Sequence, residues 1–103
     1  SILSFIRKGK NPRDFVISII NFTPVPRYDY RIGVPPAKGY SEAFNSDNIM
    51  YGGSGVHNVN NLEVEKIPWH NFEQSIAITI PPLAVIYLRP GFETIDASYE
   101  RHE

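Results

Sequence analysis

The sequence predicts an all-β domain, and three observations carry that prediction. Ile, Val, Phe, Tyr, Trp and Thr together number 36, whereas Leu, Ala and Met number only 10. Branched and aromatic side chains lose χ1 freedom against the preceding turn of a helix but pack well on a pleated surface, so this imbalance favours strands. Apolar runs recur along the whole chain, and nine prolines and seven glycines punctuate them. The 103 residues suffice for one compact core. They are too few for a (β/α)8 barrel, which needs about 250.

The elements follow in order. Ile2 to Arg7 is strand-like, the turn cluster Lys8 to Arg13 breaks it, and Phe15 to Phe22 resumes it, so the two runs predict an antiparallel hairpin. The second run is almost continuously apolar, which predicts burial on both faces and a central place in a sheet. Thr23-Pro24-Val25-Pro26 stops it, since proline lacks the amide donor a ladder needs. Tyr28 to Val34 alternates, with Tyr28, Tyr30, Ile32 and Val34 expected on one buried side and Asp29 and Arg31 on the other. Tyr40 to Asn45 is a shorter alternating strand. Ser46 to Asn61, rich in Asn, Gly and Ser, is a long loop for a compact domain and draws a functional question. Leu62 to Ile67 alternates again, and Pro68-Trp69-His70-Asn71 turns the chain. Ser75 to Ile80 sets three isoleucines on one face, Pro81-Pro82 makes a corner, and Leu83 to Leu88 closes the sheet. Seven short strands with regular turn signals predict a β-sandwich. The tail, 91–103, lacks the pattern and is left unassigned beside a domain spanning 1–90.

Charge and composition narrow the chemistry. A net charge of −1, with both signs spread along the chain, removes the main argument for nucleic acid or an anionic membrane surface as partner. Without cysteine there is no disulfide framework or thiolate metal site, which fits a reducing, cytoplasmic setting. No apolar run is long enough for a spanning helix, and no signal-peptide pattern opens the chain; Ser1 in place of Met suggests an internal piece of a longer protein. Tyr51-Gly52-Gly53-Ser54-Gly55 lacks the Lys and helix that a phosphate cradle needs, so a demanding turn is the better reading. His57, His70 and His102 share no ligand spacing, so no metal and no cofactor are expected. Glu63 and Glu65 would point the same way on a strand, the obvious candidates for a glycosidase-like pair, but a solvated face accounts for them better. Gly53-Ser54-Gly55 lacks the outer spacing of a nucleophile elbow. Asn21-Phe22-Thr23 satisfies the glycosylation triplet at what looks like a buried strand end, and is taken as chance. Among the aromatics, Tyr28, Tyr30 and Tyr87 are expected in the core, whereas Tyr51, Trp69 and Phe72 fall in loops and stay open as candidates for stacking on a ligand.

The loops carry a resemblance. Asn21 to Arg27, Tyr30 to Pro35, Asn45-Ser46-Asp47, Tyr51 to Val56, Pro68-Trp69-His70 and Ile80 to Ala84 together resemble, in order and spacing, the C-terminal domain of bacterial 1,4-alpha-glucan branching enzymes, across about Ser1 to Pro90. The resemblance implies a Greek-key β-sandwich that follows the catalytic (β/α)8 barrel in the alpha-amylase superfamily. Such enzymes cut an α-1,4 linkage in glycogen or starch and transfer the freed chain to a 6-hydroxyl. Their Asp nucleophile and Glu acid/base belong to the barrel, and no position here matches those motifs, so this chain is expected to hold no catalytic residue. The tail beyond Pro90 departs from the family pattern. The expected partner is the barrel of the same polypeptide, met through a patch of Tyr51, Gly52, Gly53, Trp69 and His70. The alternative is an α-glucan module using Tyr51, Trp69 or Phe72.

Overall fold

A computed structural model describes residues 1–92. They comprise seven strands, β1 (Ile2–Lys8), β2 (Phe15–Asn21), β3 (Arg27–Val34), β4 (Gly39–Asn45), β5 (Leu62–Glu63), β6 (Gln74–Ile80) and β7 (Ala84–Gly91), with a 3-10 turn at Ile49–Tyr51. A five-stranded antiparallel sheet, ordered β1-β2-β7-β4-β5, packs against a β3-β6 pair. The last strand inserts between β2 and β4, so sheet neighbours are distant in sequence, the Greek-key manner of connection. None of the described helical segments is long and apolar enough to cross a membrane.

The predicted hairpin forms with Ile2 opposite Asn21 and Lys8 opposite Phe15. Asp14 accepts from the Gly9 amide at 2.7 Å to close its turn. β2 lies between β1 and β7, the central place its continuous apolar run predicts, but it is not buried on both faces: Phe15, Ile17 and Ile19 enter the core, whereas Val16 and Ile20 are only half-buried on the outer side. Ile17, Ile19, Ile86 and Leu88 from the larger sheet meet Ile32, Val34, Ile76, Ile78 and Ile80 from the smaller one. Each such side chain contributes about 1.5–3 kcal/mol by leaving water. Tyr40 joins this core, donates to the Pro35 carbonyl at 2.6 Å, and has its hydroxyl pKa pushed up by burial. Leu62 follows on β5, after which the chain changes sheets: Gly39 and Tyr40 pair with Glu63 and Leu62, and Glu65 then bridges to Ser75 on β6.

Three further sequence expectations need correction. Tyr28 is 64% exposed rather than buried, because the β3–β6 register slips between Arg27 and Tyr30 and Asp29 sits at φ 53°, a bulge that breaks the alternation. Tyr30 keeps its expected place against the core. Tyr87 is 40% exposed: Ala84, Ile86 and Leu88 take the inner face of β7, and strict alternation sends Tyr87 out. The run Leu62 to Ile67 yields only a two-residue strand and one bridge, since the chain leaves one sheet for the other there. At the far end β7 continues through Pro90 to Gly91, and Phe92 packs against the core and under the Arg13 guanidinium, 4.6 Å from its ring centre. The remaining tail, 93–103, with His102, lies outside the described residues.

Candidate functional site

A sandwich has two outer faces, and here they differ in kind. On the β3-β6 pair the outward residues are Arg31, Gly33, Ser75, Ala77 and Thr79, and the chain's own residues cover them. Arg31 donates to the Ser75 hydroxyl at 2.8 Å and pairs with Glu65 at 2.9 Å, a half-exposed ion pair worth under about 1 kcal/mol. Trp69 and Phe72 exchange two backbone hydrogen bonds around His70 and Asn71, at φ 48° and 69°, which makes a two-residue primed hairpin turn. That turn lies so close that a Cβ on Gly33 would stand 2.0 Å from the Trp69 carbonyl oxygen. The Asn58 amide pairs the edge of β6 away from β3, giving to the Thr79 carbonyl at 2.8 Å and accepting its N–H at 2.7 Å, as a neighbouring strand would.

Among the described residues nothing packs over the outer face of the five-stranded sheet. Cross-strand partners share a face, so the register lays out two apolar rows: Leu3, Ile20 and Val85, then Phe5, Ser18, Tyr87 and Phe44. Tyr51 extends the second row, its ring centre 5.6 Å from that of Phe44, which in turn lies 5.3 Å from Tyr87. Leu3 is 50% exposed, Phe5 43% and Tyr51 59%. A shallow hollow continues the face past Ile20 and Val85 to Phe22 and Leu83, both well exposed.

The long loop between β4 and β5 positions Tyr51, and buried polar groups hold it. Asp47 is the hub: one carboxylate oxygen accepts the Ser54 amide at 3.0 Å, the other the Ser54 hydroxyl at 2.7 Å and the Val56 amide at 2.9 Å. Burial alone would push this carboxyl up, but bonds from the Ser54 side chain and the Ser54, Val56 and Gly55 amides outweigh it and hold it below its ordinary value. Glu42 binds the Asn58 side chain at 2.7 Å and its amide at 2.9 Å, while the Asn45 side chain ties Val56 at 2.9 Å. Gly52 ends the 3-10 turn at φ 83°, and a Cβ on Gly53 would collide with the Asp47 backbone at 2.2 Å. The glycines therefore serve a tight turn.

The expected patch is split. Tyr51, Gly52 and Gly53 line one shallow hollow at the rim of the bare face, whereas Trp69 and His70 belong to the hairpin covering the opposite sheet. Tyr51, Trp69 and Phe72, the residues of the glucan alternative, likewise fall on opposite sides and form no common platform. Glu63 and Glu65 are both exposed, the second paired with Arg31. Among the described residues no group of three or more His, Cys, Asp or Glu is placed to hold a metal ion. Asn21 is 1% exposed, with its amide nitrogen given to the Val25 and Pro81 carbonyls, so the glycosylation triplet is closed off in the fold. Sequence reasoning missed Leu3, Phe5, Phe44 and Tyr87 as one surface, because it takes the pairing of β2 with β7 to bring them together.

Comparison with known proteins agrees with this architecture. Residues 1–91 match the family described as alpha amylase, C-terminal all-beta domain. A 1,4-alpha-glucan branching enzyme of Rubrobacter xylanophilus is 51% identical over 90 residues, 87% of this chain and 12% of the relative. Those of Aquifex aeolicus and Cellvibrio japonicus are 48% and 51% identical over 89 residues, 86% of this chain and 14% and 12% of theirs. The chain thus spans about an eighth of the length of these relatives. With nearly its whole described length matched and the sandwich in place, the chain belongs to the alpha-amylase C-terminal all-beta domain family.

Proposed function

We propose that this chain is the non-catalytic C-terminal domain of a 1,4-alpha-glucan branching enzyme, packed on the catalytic (β/α)8 barrel of the same polypeptide and stabilising it. The observation that carries this is identity near one half to branching enzymes across almost the whole domain. The parent forms α-1,6 branches in an α-glucan with acid and nucleophile supplied by the barrel, and these 103 residues add no catalytic group. The domain ends at about residue 90, and the parent works in the cytoplasm without a cofactor from this domain. An uncharged polysaccharide substrate fits a domain with a net charge of −1.

Of Tyr51, Gly52, Gly53, Trp69 and His70, one group, either Tyr51 with the two glycines or Trp69 with His70, meets the barrel. Since these fall on two sides of the sandwich, the test uses Tyr51→Ala and Trp69→Ala separately in the full-length enzyme. The side that meets the barrel is expected to shorten the half-life of branching activity at elevated temperature while leaving the rate at low temperature intact. Unchanged inactivation in both variants would sink the interface.

A further inference from the structure

We propose that the barrel docks on the outer face of the five-stranded sheet, through Leu3, Phe5, Ile20, Val85, Tyr87 and Tyr51, and not on the Trp69 side. This rests on the reading of the chain as a domain of a larger enzyme, and it names which surface of the domain does the work.

Four observations choose the face. Its two central rows hold no ionisable side chain other than Tyr87; Arg7 and Arg89 stand at their border. An apolar stretch running across four strands and exposing this much aromatic and aliphatic side chain is unusual on a free surface, where it costs solubility and invites association. The opposite face is already lined by the chain's own Trp69–Phe72 hairpin and the Glu65–Arg31 pair. Trp69 keeps 42% of its surface exposed, but it stands alone on a turn and not in a row crossing several strands. Finally, the relatives carry 86% or more of their length outside the matched region, and the matched family is described as C-terminal, so a large covalently attached body stands beside this domain at high effective concentration.

Chemistry decides against the other occupants. A glucan presents hydroxyls that need donors and acceptors, yet apart from the Tyr87 hydroxyl the rows offer only Ser18, which is buried between its neighbours. The tyrosine hydroxyls of Tyr51 and Tyr87 suit the rim of a protein interface, where one end of the ring is dry and the other meets a hydrogen-bond partner. A second copy would have to compete with a surface tethered in the same polypeptide.

The test places single cysteines at Phe5→Cys, Tyr87→Cys and Trp69→Cys in the full-length enzyme and reads maleimide labelling of each peptide by mass spectrometry. Positions 5 and 87 are expected to label at least about tenfold more slowly than position 69, as for side chains closed in an inter-domain contact. Hydroxyl-radical footprinting of the unsubstituted enzyme, comparing Phe5 and Tyr87 with Trp69, gives the same reading without substitution. Slow labelling at 69 with fast labelling at 5 and 87 would overturn this face while leaving the docked-domain reading intact. Fast labelling at all three would overturn both. Protection that disappears on dilution, or that appears only with added maltooligosaccharide, would reassign the face to a second copy or to glucan and overturn the proposal.

Discussion

Replacing Asp47 with alanine is expected to lower the unfolding free energy of the chain by about 3 kcal/mol, since it leaves amide and hydroxyl donors without the charged acceptor that holds them. The Ser54 amide and hydroxyl and the Val56 amide all lose their partner at once. Asp47→Asn is the sharper variant. Its amide keeps one oxygen for Ser54 but turns an NH2 toward the Val56 N–H, so donor faces donor, and a loss of about 1–3 kcal/mol remains. The carboxyl is held below its ordinary value in the fold, so its contribution is fully present above the unfolded pKa of about 3.9 and is lost as pH falls through the lower folded value. Urea unfolding of the wild type and of Asp47→Asn at neutral pH and below pH 4 checks this. The gap between the two should narrow as acid is added; a gap that stays constant would mean that the charge on Asp47 contributes nothing. Because the loop carries Tyr51 onto the Phe44 ring, the aromatic edge of the larger sheet should loosen in the same variants.

The strands were legible because their side chains are nearly all committed to one core. The isoleucines of β6 and Phe15, Ile17 and Ile19 of β2 leave one arrangement that buries them, so period and position followed from the chain alone, while the other half of the β2 run, with Ile20, faces outward. Tyr28 was not legible, since a bulge at Asp29 shifts register by an interaction between strands that are distant in sequence. Tyr87 was misplaced for another reason. An aromatic on a strand is equally suited to a core or to a surface awaiting a partner, and sequence does not say which face of a sheet has a partner. The loop's polar hub was partly within reach. Asn11, Asn21, Asn45 and Asn48 each accept an amide two residues ahead, at 2.8 to 3.0 Å, the local habit that favours Asn in turns. Glu42 and Asn58 were beyond reach, because their bonds span 16 residues. Of the expected interface, the sequence found Tyr51 and Trp69 alike as large aromatics in loops, and Trp69 proves to be part of a turn that closes the smaller sheet.

That closing turn makes Gly33 the most sensitive position on the β3-β6 pair. Gly33 lies opposite Ser75 in the ladder, and the carbonyl of Trp69 rests where its side chain would be. An added Cβ would meet the oxygen at 2.0 Å and the carbonyl carbon at 2.9 Å, both backbone atoms, so no rotamer change relieves the contact. Gly33→Val must lift the Trp69–Phe72 hairpin off the sheet or distort β3 beneath it, a cost of about 3 kcal/mol or somewhat more. Lifting the hairpin would also move the only tryptophan of the 103 residues and strain the Glu65–Ser75 bridge beside it. The expected result is therefore a lower urea midpoint together with a red-shifted Trp69 emission, the second reporting the hairpin directly. Gly33→Ala should show the same pair of changes to a smaller degree. Since the bare face of the larger sheet shares no residue with this hairpin, maleimide labelling at positions 5 and 87 in the full-length enzyme should stay slow in either variant as long as the domain is folded. A Gly33→Val chain with unchanged midpoint and emission would show that the hairpin does not rest on β3, and would return Trp69 to the set of residues free to meet a partner.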